Sequence, residues 1–128
     1  MIQANELRLV NLVEAFGIQC KIIELCKEEA NLMPISQPNI FSSDYEFYLG
    51  IDPIPLTEEW LLKAGFTKHF SDDYFIGEVN ELGQRELRLF NSEKYGFCHN
   101  DFLHQIKYVH QLQNLYFALT GKELEFKL

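Results

Sequence analysis

The amino-acid sequence predicts an α+β fold: an antiparallel sheet or small barrel at the amino end, a short capped helix, a second β-hairpin, and a long C-terminal helix packed on the sheet. Three observations carry that prediction. Paired β-rich runs occur in both halves of the chain, a short central segment has helix signals at both of its ends, and one apolar stripe of helical period lies near the carboxyl end. The 128 residues are expected to form a single globular domain, 1–128, because chains of this size bury roughly two-thirds of their unfolded surface and close a core without disulfides or metal. Hydrophobic residues make up 47% and charged ones 23%, which sets intrinsic disorder aside.

The first element is a hairpin. L-R-L-V-N-L-V (7–13) and I-Q-C-K-I-I-E-L (18–25) flank E-A-F-G, whose Gly17 can supply the positive φ that hairpin turns often need. In the second run Ile18, Cys20 and Ile22 share one face and Gln19 and Lys21 the other; the alternation breaks at Ile23, where a bulge or bend is expected. Residues 27–44 hold K-E-E-A-N, Pro34, Pro38 and paired serines, keep neither period, and read as mostly loop. Y-E-F-Y-L (45–49) restores a strand pattern, and the prolines of G-I-D-P-I-P hold the following path extended.

A helix from Glu58 to Ala64 comes next. Thr57 can cap it, Glu58 and Glu59 sit where the macrodipole favours negative charge, Leu56 and Leu61 form a hydrophobic staple, and Gly65 followed by Phe66 suits a C′ glycine with an apolar contact back onto Leu61. Y-F-I-G-E-V (74–79) and R-E-L-R-L-F (85–90) flank N-E-L-G-Q and predict the second hairpin, with Leu87 and Leu89 alternating against Glu86 and Arg88. N-S-E-K-Y-G-F-C-H-N reads as a connection, and F-L-H-Q-I-K fits either a short strand or an early helical turn.

The last helix spans about Lys107 to Thr120, with Tyr108, Val109, Leu112, Leu115, Tyr116 and Leu119 inside an arc of about 120°, the width of a core-facing stripe, and Gly121 at C′. Lys107, His110, Gln111, Gln113 and Asn114 take the other side, and so does Phe117. If the helix reaches back to Ile106, then Ile106, His110, Gln113 and Phe117 line up at i, i+4, i+7 and i+11. Two readings of Phe117 stand: it packs under a loop or the tail E-L-E-F, or these four residues form a partner-binding stripe, because aromatics beside adaptable polar groups are what interfaces enrich.

Composition bounds the function. Eleven Lys and Arg against nineteen Asp and Glu leave a net charge of -8, the wrong sign for replacing counterions on a phosphate backbone, so direct nucleic-acid binding is not expected. The longest local basic signal, Arg85 and Arg88 with Lys94, is interrupted by Glu86 and Glu93. Cys20, Cys26 and Cys98 are an odd number without framework spacing, and M-I-Q-A-N-E-L lacks the regions of a signal peptide, so reduced thiols and a cytoplasmic location are expected. No apolar run approaches the roughly 20 residues that cross a bilayer.

Chemistry finds little foothold in these residues. Cys98 and His99 with His104 and His110 are the nearest approach to a metal cluster, but structural zinc takes two short-spaced ligand pairs, and neither metal nor other cofactor is expected. On one helix His104 and His110 would lie about 240° apart. On a strand Cys98 and His99 would point to opposite faces, which separates a thiol from its nearest base, and Cys20 and Cys26 read as core. The acid pairs Glu28-Glu29, Glu58-Glu59 and Asp72-Asp73 fall where a solvated loop or a helix start explains them. No nucleophile elbow, phosphate-cradling loop or dinucleotide fingerprint occurs, and Trp60 reads as packing against a sheet.

Three segments, E-L-R-x-x-N-L-V (Glu6 to Val13), P-I-P-L-T-E-E-W-L-L-K-x-G-F (Pro53 to Phe66) and Y-V-H-Q-L-Q-N-L-Y-F-A-L-T-G-K-E-L (Tyr108 to Leu124), resemble a group of small uncharacterised proteins of Bacteroidetes-type bacteria and their phages or mobile elements. The resemblance implies origin and brings no catalytic residues. Members of that group commonly begin E-L-R-I-G-N; Leu9 and Val10 stand in place of the Ile-Gly pair, which bears on how the first turn of a small SH3-like barrel is built.

The functional expectation is a non-enzymatic protein-interaction module of phage or mobile-element origin that binds another protein, host or phage, through Ile106, His110, Gln113 and Phe117, with self-association as a further option and no membrane involved. Two alternatives stand beside it. One is an acidic inhibitor of a nucleic-acid enzyme, motivated by the -8 charge. The other is a small enzyme using Cys98 or the acidic pairs, which needs a pocket joining them to a second titratable group.

Overall fold

The computed structural model describes residues 6–35, 44–47, 50–69, 74–78, 86–92, 96–99 and 104–127. Its contacts divide the chain into two compact units, Met1–Ile54 with Tyr108–His110, and Pro55–Lys107 with Gln111–Leu128. The architecture is α+β as expected, with two antiparallel sheets, a short helix and a C-terminal helix; of the two options for the amino end, an open sheet is the one formed among the described residues.

The first unit holds β1 (Leu12–Ala15), β2 (Ile18–Leu25), β3 (Glu29–Pro34) and β4 (Asp44–Phe47) in sequential order. The β1–β2 hairpin closes over Phe16 and Gly17, with Ala15 opposite Ile18. Leu7, Val13, Ala15, Cys20, Ile22, Ala30, Leu32 and Ile51 build the core of this unit. Two predictions are corrected here. Residues 7–11 are not strand, and the stretch read as loop contains β3, whose alternation is hidden by Asn31, buried between Ala30 and Leu32, and by Pro34 at the strand end where proline is tolerated. The break expected at Ile23 is present as a register shift between Ile22 and Glu24 against β3.

Residues 8–11 make a turn in which the Asn11 N–H donates to the Arg8 carbonyl at 3.2 Å and the Asn11 side-chain oxygen accepts from the Arg8 N–H at 2.7 Å. Val10, third in the turn, has φ 63°. The Val10 N–H donates to the Ile22 carbonyl at 2.8 Å and the Ile22 N–H to the Asn11 carbonyl at 3.0 Å, so Val10 and Asn11 together oppose one residue of β2. This is a type II turn running into a bulge of the glycine-requiring kind, occupied by a β-branched residue. Val10→Gly is therefore expected to stabilise the fold by about 0.5–1 kcal/mol, the left-handed strain relieved less the entropy a glycine adds to the unfolded chain, read as a higher urea midpoint at unchanged slope.

The second unit begins with α1 (Glu58–Lys63) and continues through β5 (Thr67–His69), β6 (Tyr74–Glu78), β7 (Glu86–Ser92), β8 (Gly96–His99) and β9 (His104–Ile106), again in sequential order, to α2 (Val109–Thr120). Both ends of α1 follow the local signals. The Thr57 hydroxyl accepts from the Trp60 N–H at 3.4 Å, and Leu56 and Leu61 are buried. At the far end Gly65 has φ 87° and donates to the Leu62 carbonyl, while Phe66 donates to the Leu61 carbonyl, both at 3.0 Å; the pair is a Schellman stop. The hairpin of β6 and β7 has the polar face expected, with Leu87 and Leu89 buried and Arg88 exposed. Its connection, N-E-L-G-Q (80–84), lies outside the described residues. Gly96–His99, read as connection, is strand β8, and the ambiguous 104–106 is strand β9.

After α2 the tail returns to α1. The Lys127 N–H donates to the Lys63 carbonyl at 2.8 Å, Leu124 is buried, and the Phe126 ring meets the Trp60 indole edge-on with centroids 5.4 Å apart. Trp60 is thus core, with the tail ring against it where packing on a sheet was expected, and the Lys63 ammonium lies 5.0 Å over its ring.

Candidate functional site

The four residues of the expected partner stripe do not form one surface. α2 starts at Val109, so Ile106 belongs to β9 and lies off the helix, at 5% exposure. His110 and Gln113, at 1% and 2%, are buried, and Phe117 is exposed at 40%. The buried side of α2 runs through Val109, His110, Leu112 and Gln113, rotated by about 80° from the stripe that periodicity selects. Leu119, assigned to the core face, is 49% exposed, and Leu115 and Tyr116 are half-buried. The apolar pattern was real but overstated the buried length: the first half of the helix is enclosed and its second half is open.

His110 has an unusual setting. Its ring stacks on Tyr108, with centroids 5.8 Å apart and planes 9° from parallel, and its Nε2 lies 3.9 Å from the Glu6 carboxylate, beyond hydrogen-bond reach. Neither ring nitrogen has a hydrogen-bond partner among the described residues. Burial pushes the imidazole below its ordinary 6.5, and the nearby Glu6 carboxylate pulls it back upward. A neutral, enclosed ring of this kind is a packing group with a latent proton site.

Cys20 and Cys26 are not activated thiols. Burial pushes Cys20 up, and Cys26, half-exposed where a core position was expected, is pushed up by desolvation and by Glu24 and Glu29, with its Sγ donating to the Glu24 carboxylate at 3.5 Å. Both stay protonated at neutral pH and are poor nucleophiles. Cys98 is buried, and its Sγ reaches the Gly96 carbonyl at 3.8 Å. Among the described residues no three His, Cys, Asp or Glu side chains gather where they could hold a metal ion. Glu58 and Glu59 each meet a lysine, Lys68 and Lys63 respectively, at 3.3 Å on the surface. Asp72-Asp73 lies outside the described residues.

Two cavities are described. The larger, about 690 Å³, lies in the second unit between the end of α1 and the tail and is lined by Lys63, Tyr116, Lys122, Glu123, Phe126 and Lys127 among others. The smaller, about 360 Å³, lies in the first unit beside the β1–β2 turn. Cys98 lines neither. With this geometry established, no protein-family model, curated protein or solved structure matches the chain. No helix among the described residues is long and apolar enough to cross a membrane.

Sequence reasoning missed the exposed apolar groups that the structure presents. Leu62 on α1 is 51% exposed, Leu9 in the first turn 52%, and Phe16 at the hairpin tip 84%. For Phe16 the register decides it: E-A-F-G reads as the connection, and with Ala15 paired to Ile18 the loop shortens to two residues and places residue 16 at the tip.

Proposed function

We propose that the chain is a non-enzymatic protein-interaction module of a phage or mobile-element setting, working in the cytoplasm, and that it engages another protein through the second half of α2. The observation that supports this reading is the helix's unfinished burial. Leu115, Tyr116 and Leu119 recur at helical spacing on one face, yet Leu119 keeps 49% of its surface, and Phe117, about 160° round the helix from Leu119, keeps 40%. Rows of this kind are what an amphipathic helix offers to a groove, and aromatic and aliphatic anchors dominate such contacts. Gln111, whose side-chain oxygen accepts from the Lys107 N–H at 2.8 Å, and Asn114 are half-buried polar groups along the same helix.

Affinity purification of the tagged chain from its native cells, with and without phage infection, tests the proposal. One protein is expected to co-elute at constant stoichiometry and to be lost with Phe117→Asp and with Leu119→Asp, while the urea midpoints of both variants stay within about 0.5 kcal/mol of the parent, as for surface changes. Retention of that protein by both variants would count against α2. A preparation without any constant partner would count against an interaction module altogether.

A further inference from the structure

A second docking element lies in the first unit. Phe16 and Gly17 form a two-residue hairpin loop with φ of 53° and 73°, the positive pair that defines a type I′ turn. Asn, Asp and Gly fill the first position of such turns; a phenylalanine there is held in a conformation that L side chains avoid. Burial does not compensate, because the ring is 84% exposed. Strain kept at a loop tip together with an exposed aromatic points to a contact made outside the chain.

The surroundings indicate what that contact is. Ile18, two residues on, is 49% exposed, and beside the turn lies the depression of about 360 Å³ lined by Glu14, Gly17, Ile18, Gln19 and Ile35. Glu14 and Asp52 form a hydrogen-bonded antiparallel pair, with N–H to carbonyl distances of 2.8 and 2.7 Å, so their carboxylates rise from directly opposite positions on one face. Like charges placed so repel each other, and a cation brought between them relieves the repulsion. The apolar knob therefore has an acidic flank. Anionic lipid headgroups and nucleic-acid phosphates are disfavoured beside it.

We infer that the Phe16 tip is an anchor for a protein partner, one that offers an apolar pocket to the ring and a rim of Lys or Arg to Glu14 and Asp52. This surface does not depend on α2: it belongs to other residues and can fail or succeed separately.

The experiment places a photocrosslinking p-benzoylphenylalanine at position 16 of the full chain in its native cells, with the same residue at exposed Lys21 as the control position. A single protein is expected to crosslink at 16 and not at 21, through a peptide holding apolar residues next to Lys or Arg. The purified partner is then expected to bind Phe16→Asn roughly tenfold or more weakly, the loss typical of a removed interface anchor. Glu14→Gln with Asp52→Asn should weaken binding and flatten its salt dependence. Asn suits the turn better than Phe, so Phe16→Asn should unfold at an equal or higher urea midpoint, which separates lost contact from lost fold. Equal crosslinking at both positions, a crosslink to lipid or nucleic acid, or a partner that binds Phe16→Asn as tightly as the parent would overturn the inference.

Discussion

Gly77→Ala is expected to destabilise the second unit by about 2 kcal/mol, a large effect for the addition of one methyl group. Gly77 lies in β6 opposite Leu87, and the ring of Phe66 covers it: a Cβ built at position 77 would come within 2.7 Å of Phe66 Cζ and 2.9 Å of both Cε atoms. Phe66 cannot easily withdraw. It is 4% exposed, and its own N–H completes the Schellman stop of α1, so a shift of the ring strains the helix end as well. A glycine under an aromatic ring is a common way for a sheet to accept a close approach. The check is urea unfolding of Gly77→Ala alone and with Phe66→Leu. The smaller side chain should recover part of the loss, giving a coupling of roughly 1 kcal/mol between the two sites. Purely additive losses would show that the contact is not the cause.

Acidification is expected to destabilise the fold through His110. The imidazole's pKa in the folded chain lies below its ordinary 6.5, because burial outweighs the opposing pull of Glu6. Below that ordinary value the unfolded chain binds a proton that the folded chain refuses, so stability rises with pH there. The contribution is complete above pH 6.5, is lost progressively as the pH falls towards the folded-state value, and changes no further below it. His110→Phe keeps a ring against Tyr108 and removes the proton site. Unfolding midpoints of parent and variant should diverge as the pH drops from about 7.5 to 5.5, a window chosen above the ordinary carboxylate range, with the variant the flatter of the two. Parallel profiles would contradict a neutral, buried His110.

Much of the fold was legible because its signals are local. The Thr57 cap and the Gly65-Phe66 stop each depend on residues a few positions apart and are found where expected, and Leu56 and Leu61, the staple residues, are both buried. The β6–β7 pairing follows from period-two alternation on one wet face. What failed depends on tertiary context. β3 shows no alternation, since Asn31 is enclosed beside Ala30 and Leu32 and only the paired strands reveal the segment as β. β8 hides behind Gly96 and a polar lead-in for the same reason.

The helix face was misread on similar grounds. Periodicity selects the side richest in apolar residues, but which side is enclosed depends on what surrounds it, and here His110 and Gln113 go in while Leu119 stays out. Ile106 joined the stripe only by assuming a longer helix than the one formed. The first turn carries a strain that no local signal announced: φ of 63° at Val10 is a value that glycine adopts without strain.

The proposed protein-binding surface on the open half of α2 is tested by amide hydrogen exchange of the chain alone and saturated with its co-purifying partner. Slower exchange is predicted across residues 114–121 of α2 and its closing turn, where burial is incomplete, with little change in β6 and β7, whose protection is set by the fold itself. Unchanged exchange over 114–121, with protection gained elsewhere, would contradict the account and move the binding surface away from α2.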